Sequence, residues 1–211
     1  MDKLTYFVCT HPDADHIGGA ASVVSNVSIT SETVWGPICK KDTKTYNNLI
    51  NEIFYRSYKY MMPELCKIYP LGGAEVVFFG PTEEYDDAND NSLVCSVRYK
   101  DSSLLLTGDC SEAEENDMLD EYSQSLSILD VDILKVAHHG SQSASRKPFL
   151  DAVSPSYAVI SCGIDNSYGH PNQSVLERLT DMGATIYRTD ELGSIICTMN
   201  GTHDYKWDYQ K

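Results

Sequence analysis

Short β-prone runs and helix-spaced runs alternate along the whole chain, separated by turn residues. Residues 4–10 read as a strand that stops at His11-Pro12, and Gly18-Gly19-Ala20-Ala21 can open a helix after it. Residues 33–38 read as a second strand. From 46 to 62 the apolar and aromatic residues fall at 46, 49, 50, 53, 54, 58 and 61, a spacing that predicts a helix. Residues 75–79, 92–99 and 102–107 read as strands, the last two joined by Lys100-Asp101. Ser111-Glu112-Ala113-Glu114 has the form of a capping box, so a helix runs from there toward Gln124. Strands are expected at 131–137 and 157–162, with a short helix at 147–153 between them. Asn172 caps a helix carrying Val175, Leu176, Leu179 and Met182, and Gly183 ends it. Strands at 185–188, 194–199 and 204–209 complete the chain. Hairpins and crossovers both occur, which predicts an α/β (α+β) fold of sheets covered by helices rather than a pure doubly wound sheet.

Composition narrows the class. The 211 residues fit a single domain, 1–211, and 42% hydrophobic with 22% charged residues is the balance of a globular core. Asp and Glu outnumber Lys and Arg by 31 to 16, a net charge of −15, which argues against a general polyanion-coating role. A metal enzyme is still compatible, because bound cations reverse the local sign of a site. No apolar run approaches the roughly 18–20 residues of a membrane span, and the N-terminal residues do not read as a signal peptide. The seven cysteines, at 9, 39, 66, 95, 110, 162 and 197, are odd in number and unpaired in spacing. They read as reduced and mostly buried, and the expected location is cytoplasmic.

One segment carries the chemistry. In His11-Pro12-Asp13-Ala14-Asp15-His16-Ile17-Gly18-Gly19, four potential metal ligands fall within six residues directly after a strand. Positions 11, 13 and 15 face one way if the chain stays extended and His16 turns to the other, so one loop can feed two adjacent ions. Three further strand ends supply what such a site still needs: Asp109 after Leu104-Leu105-Leu106, the pair His138-His139 after Ile133-Leu134-Lys135-Val136, and His170 in Ser167-Tyr168-Gly169-His170-Pro171. His203 reads as a surface residue. Residues 40–67 interleave Lys40, Lys41, Lys44, Arg56, Lys59 and Lys67 with Tyr46, Tyr55, Tyr58 and Tyr60. That pattern tracks a single nucleic-acid strand by charge and stacking, or it is a surface helix whose tyrosines pack on the core.

The motifs H-P-D-A-D-H-I-G-G, L-L-L-T-G-D, L-K-V-A-H-H-G-S and N-S-Y-G-H-P resemble the metallo-β-lactamase superfamily, and within it the hydrolase domain of ComEC-type competence proteins. Residues 188–195 resemble the same branch. The resemblance implies an αββα sandwich with two divalent metal ions, Zn or Mn, at one edge between the sheets. It implies hydrolysis by a hydroxide activated between the two metals, in this branch of phosphodiester bonds, so a phosphodiesterase or nuclease acting on DNA. By position, His11 and Asp13 belong to the first metal, and Asp15, His16 and His170 to the second. Asp109 bridges the two, and His139, with His138 beside it, completes the first site or contacts a phosphate. Asp15, His138 and His139 are the expected catalytic residues, and Ser141, Asn91, Arg56 and Lys59 the expected substrate-binding ones. The expected partner is a phosphodiester substrate, single-stranded DNA among the candidates. A phosphorylcholine-type or lactam/lactone hydrolase and an idle metal-binding scaffold are the alternatives.

The chain departs from the pattern at Asp13, where most of the superfamily has His, and at Asn89-Asp90-Asn91-Ser92, where the usual His is missing. The harder ligand set favours manganese over zinc. About ten residues precede the first motif where the family has several strands, so the sandwich is expected to lack the usual N-terminal strands.

Overall fold

The computed structural model describes residues 2–39 and 41–210. Its first part is parallel. Strands β1 (Lys3–Leu4) and β3 (Ser28–Ile29) pair, and β2 (Phe7–Val8), β4 (Thr33–Trp35) and β5 (Lys59–Met61) form a three-stranded sheet. Helices α1 (Ala14–Ile17), α2 (Ala20–Asn26) and α3 (Lys44–Tyr55) bury Ile17, Val24, Leu49 and Ile53 against it. The larger sheet begins as a meander of β6 (Ile68–Leu71), β7 (Ala74–Gly80), β8 (Val94–Tyr99) and β9 (Ser102–Leu106). It continues in parallel through β10 (Ile133–Lys135), β11 (Tyr157–Ile160) and β12 (Thr185–Arg188). Helices α4 (Glu112–Glu121), α5 (Lys147–Val153) and α6 (Gln173–Asp181) cover its outer face. The short α7 (Thr189–Leu192) leads into the hairpin β13 (Ser194–Thr198) and β14 (Lys206–Gln210).

Side-chain alternation stacks the layers. In β7, Val77 and Phe79 join the helix-covered core while Val76 and Phe78 face the other way. In β4, Val34 faces the helices and Trp35 packs on Phe78, ring centroids 5.4 Å apart. The two sheets thus meet through Trp35, Val76, Phe78, Leu93 and Cys95, and helices lie outside both. This is the αββα sandwich.

Some elements differ from expectation. The first strand is split into β1 and β2, and the helix from 46 stops at Tyr55 because Ser57 takes φ +59°. Tyr58 and Tyr60 then pack on the small-sheet core as extended residues. Strand β6 was not legible because Pro70 interrupts its pattern, as edge strands tolerate. The capping box does not close: Ser111 Oγ accepts from Ala113 N at 3.3 Å, but Glu114 turns inward.

Both Glu114 carboxyl oxygens are buried without a hydrogen-bond partner, and a Cβ at Gly80 would collide with Oε1. Burial, reinforced by Asp90, Glu115 and Asp117, pushes its pKa well above the carboxyl range. The folded state keeps a proton that the unfolded state releases, so the stabilisation is complete at acid pH and fades as pH rises. Burial also raises Glu115, to about 8, in the same sense. Tm is therefore expected to fall between about pH 5 and pH 8.5, and to fall less in Glu114→Gln. An equal slope in both proteins would contradict a neutral Glu114.

Candidate metal centre

Strands β9, β10 and β11 are parallel, so the loops after them leave at one edge of the large sheet. Asp109 follows β9, the His138-His139 pair follows β10 and His170 lies in the loop after β11. The loop after β2 brings His11, Asp15 and His16 to the same place. Asp109 is the centre of the gathering. Its Oδ1 is 3.2 Å from His16 Nε2, and its Oδ2 is 3.4 Å from His139 Nε2 and 3.9 Å from both His11 Nε2 and His138 Nε2. Asp15 Oδ2 is 3.2 Å from His139 Nε2 and 3.6 Å from His16 Nε2. Among the described residues, Asp15, His16, Asp109 and His139 bring their ligand atoms within 4.8 Å of one another.

Local backbone choices aim these groups. His138, His139 and Gly140 take φ of +47°, +55° and +83°, a left-handed run that costs about 1–2 kcal/mol at each non-glycine residue. The run is held because His138 N donates to Gly108 O (3.1 Å), Ser141 N to His138 O (2.8 Å) and Asn172 N to Gly140 O (2.8 Å). It turns both imidazoles back over Asp109. His139 Nδ1 donates to Ser161 O at 2.7 Å, which leaves Nε2 facing Asp15 and Asp109.

Two hydroxyls missed by sequence reasoning complete the support. Thr10 Oγ1 lies 3.3 Å from His11 Nδ1 and 3.2 Å from His16 Nδ1. Ser92 Oγ lies 3.3 Å from His11 Nδ1 and accepts from Asp109 N at 2.9 Å. Both contacts engage Nδ1 and leave Nε2 for the cluster. The one signal in the sequence was placement: Thr10 precedes the first ligand, and Ser92 stands where the usual His is missing. Ser92→Ala is expected to lower affinity for a divalent cation about 10- to 100-fold with the fold intact. Unchanged affinity in a chelator competition would contradict that role.

Electrostatics favour a cation here. Burial lowers the His11 pKa to about 4, with His16 adding to the effect, so the ring is neutral near pH 7. Burial works to raise Asp109, but the His139 and His16 imidazoles overcome it and hold the carboxyl well below its usual range. The Asp109 carboxylate in turn raises His139. Burial, with His138 and His139, lowers His170. His11 Nε2, His16 Nε2 and Asp109 Oδ1 are buried and make no hydrogen bond. Orphaned imidazole and carboxylate lone pairs converging on one point suit a divalent transition-metal ion.

Asp13 and His170 stand beside the cluster, and the other predicted residues lie further off. Asp13 is engaged by the Lys41 ammonium rather than facing Asp109. His170 stands one ring out, 5.8 Å from His138 by centroid. Ser141 Oγ is 3.0 Å from Ser143 Oγ and accepts from Ser143 N, so it serves the turn. Asn91, expected at the substrate, is buried with its amide bonded to Tyr85 O, Asp87 O and Tyr85 N. Both of its amide N–H donors are committed to the backbone. Arg56 donates to Ser25 O and lies over the Tyr58 ring, and Lys59 opens β5 opposite Thr33. Because β2, β4 and β5 are parallel, Lys59 lies toward the edge away from the His11 loop.

The profile of the family described as the Metallo-beta-lactamase superfamily matches residues 2–164. Competence protein ComA of Neisseria gonorrhoeae is 30% identical over 198 residues, which cover 92% of this chain and 25% of that protein. ComE operon protein 3 of Bacillus subtilis is 29% identical over 203 residues, 92% of this chain and 24% of that protein. The chain thus spans about a quarter of the length of these relatives. Among solved structures, CmlA, a diiron beta-hydroxylase from Streptomyces venezuelae, superposes with a TM-score of 0.57 at 14% identity, over 89% of this chain and 43% of that one. The metallo-beta-lactamase fold protein YhfI from Bacillus subtilis gives 0.50 at 13% identity, over 88% and 74%. These two likenesses bear on the fold alone. Among the described residues no helix is long and apolar enough to cross a membrane. The family match, the competence-protein relatives and the ligand cluster together support a metal-dependent hydrolase. By fold, by sequence and by the residues at its sheet edge, the chain belongs to the metallo-beta-lactamase superfamily.

Proposed function

We propose that this chain hydrolyses phosphodiester bonds with two divalent cations, Zn or Mn, and that DNA is its polymer substrate. One observation carries the reading: a single buried carboxylate, Asp109, is faced by Nε2 of His11, His16, His138 and His139. Asp15, His16 and His139 would hold one cation and His11 the other, with Asp109 shared. Such ions supply Lewis acidity and make a bound water acidic enough to ionise near neutral pH. The protein's own groups do the rest. Asp15 is the exposed member, its side chain 63% accessible, and would orient the attacking water and accept its proton. His138 lies between His139 and His170, centroids 6.2 and 5.8 Å away, and donates to a phosphate oxygen or to the leaving oxygen. A hydrogen bond from His138, given from a fixed position, would offset charge that develops on the phosphoryl group with little reorganisation. The competence name of the Neisseria gonorrhoeae relative supports a nucleic-acid substrate.

The test is restoration. Protein stripped with a chelator and resupplied with Zn²⁺ or Mn²⁺ is assayed on bis-p-nitrophenyl phosphate, single-stranded DNA and nitrocefin. Metal-restored cleavage of the two phosphodiesters is expected. Cleavage of nitrocefin alone, or metal binding with no turnover at all, would overturn the proposal.

A further inference from the structure

Beside the cluster lies a cavity of about 170 Å³ whose walls include Asp15, His139, Cys162, Asn166, Tyr168 and His170. Asp15 and His139 belong to the metal centre, so the cavity is continuous with it. Tyr168 forms its outer lip. The ring is 80% exposed and stacks on His170, centroids 5.8 Å apart and planes within 20°. At 5.8 Å the two rings are offset, so the tyrosine stays largely open to solvent. Its contact with His170 leaves most of a large aromatic surface unburied beside the metal centre.

The loop that carries it is braced. The Asn166 amide donates to Gly163 O (3.0 Å) and His170 O (2.5 Å), and its carbonyl accepts from His170 N (3.0 Å). The ring is thus presented on a loop whose ordering cost is met before any ligand arrives. Among the described residues no Lys or Arg lines the cavity, Asp15 does, and the whole chain carries −15. What the cavity offers instead is an open aromatic face and room for one ring.

We propose that this cavity takes the nucleobase adjoining the scissile phosphate, stacked on the free face of Tyr168. The inference rests on the phosphodiesterase reading and names the substrate class of the same site: a base-bearing phosphodiester. Base–aromatic stacking is tolerant of sequence, so pyrimidines and purines are both accepted.

The test compares the dinucleotide d(TpT) with the same backbone carrying an abasic sugar in place of one thymidine, in wild type, Tyr168→Phe and Tyr168→Ala. Wild type and Tyr168→Phe are expected to favour d(TpT) by about 5- to 100-fold in kcat/KM, mainly through KM. Tyr168→Ala is expected to lose that preference, its fall in kcat/KM being larger on d(TpT) than on the abasic compound. Preference that survives in Tyr168→Ala, or equal losses on both substrates, would overturn the inference. Equilibrium binding of the two dinucleotides, followed by NMR, reads the subsite without turnover. Absence of hydrolysis with base-dependent, Tyr168-dependent binding would sink the phosphodiesterase reading and leave the base subsite standing. Binding indifferent to the base would sink the subsite.

Discussion

Asp109→Asn is expected to remove divalent-cation binding and to lower phosphodiester hydrolysis by roughly 10³-fold or more. The carboxylate is buried, held ionised by His139 and His16, and lies within 3.9 Å of four imidazole nitrogens. An amide of the same shape brings no charge and replaces one ligand oxygen with an N–H group that cannot bind a cation. Because both proposed cations share this group, its loss disables them together rather than one at a time. Affinity by chelator competition and turnover on bis-p-nitrophenyl phosphate are the readouts. A variant with metal content and rate near wild type would show that the cluster is organised around some other residue.

Gly108→Ala is expected to destabilise the fold by about 2–4 kcal/mol, from left-handed strain plus overpacking. Gly108 has φ +52°, and a Cβ there would sit 2.7 Å from Ser92 Oγ and 3.1 Å from Thr10 Cβ. Those are the two residues that support His11 and His16, so the same change is expected to weaken cation binding. Gly72→Ala separates the two causes. Its φ is +63°, but a Cβ there would meet nothing within 4 Å, so it is expected to cost only about 1–2 kcal/mol. Denaturant midpoints for the two variants measure the difference. Equal losses would show that the approach of Ser92 to Gly108 is not tight.

The ligand segment was legible because His11, Asp13, Asp15 and His16 crowd into six residues after an apolar run. Asp109, the histidine pair and His170 were legible because each follows a β-prone run, and parallel strands deliver such ends to one edge. What escaped depends on distance along the chain. Ser92 reaches His11 across 81 positions and Lys41 reaches Asp13 across 28, and nothing local in the sequence announces either contact. The local structure around Arg56 and Lys59 escaped for a different reason. A 3.6-residue spacing continued by chance through Ser57, where the backbone turns left-handed and the helix gives way to β5. Asn91 was judged by its neighbours in sequence, whereas its amide is committed to the backbone of residues 85 and 87. For Ser92 and Lys41 a long-range partner, rather than local propensity, decided where the side chain went.

Anomalous diffraction from crystals loaded with Zn²⁺ or Mn²⁺ addresses the core of the account. It predicts two peaks at the sheet edge, one bounded by Asp15, His16 and His139, the second beside His11, and Asp109 in contact with both. A peak anywhere else, or none at saturating metal, would contradict it.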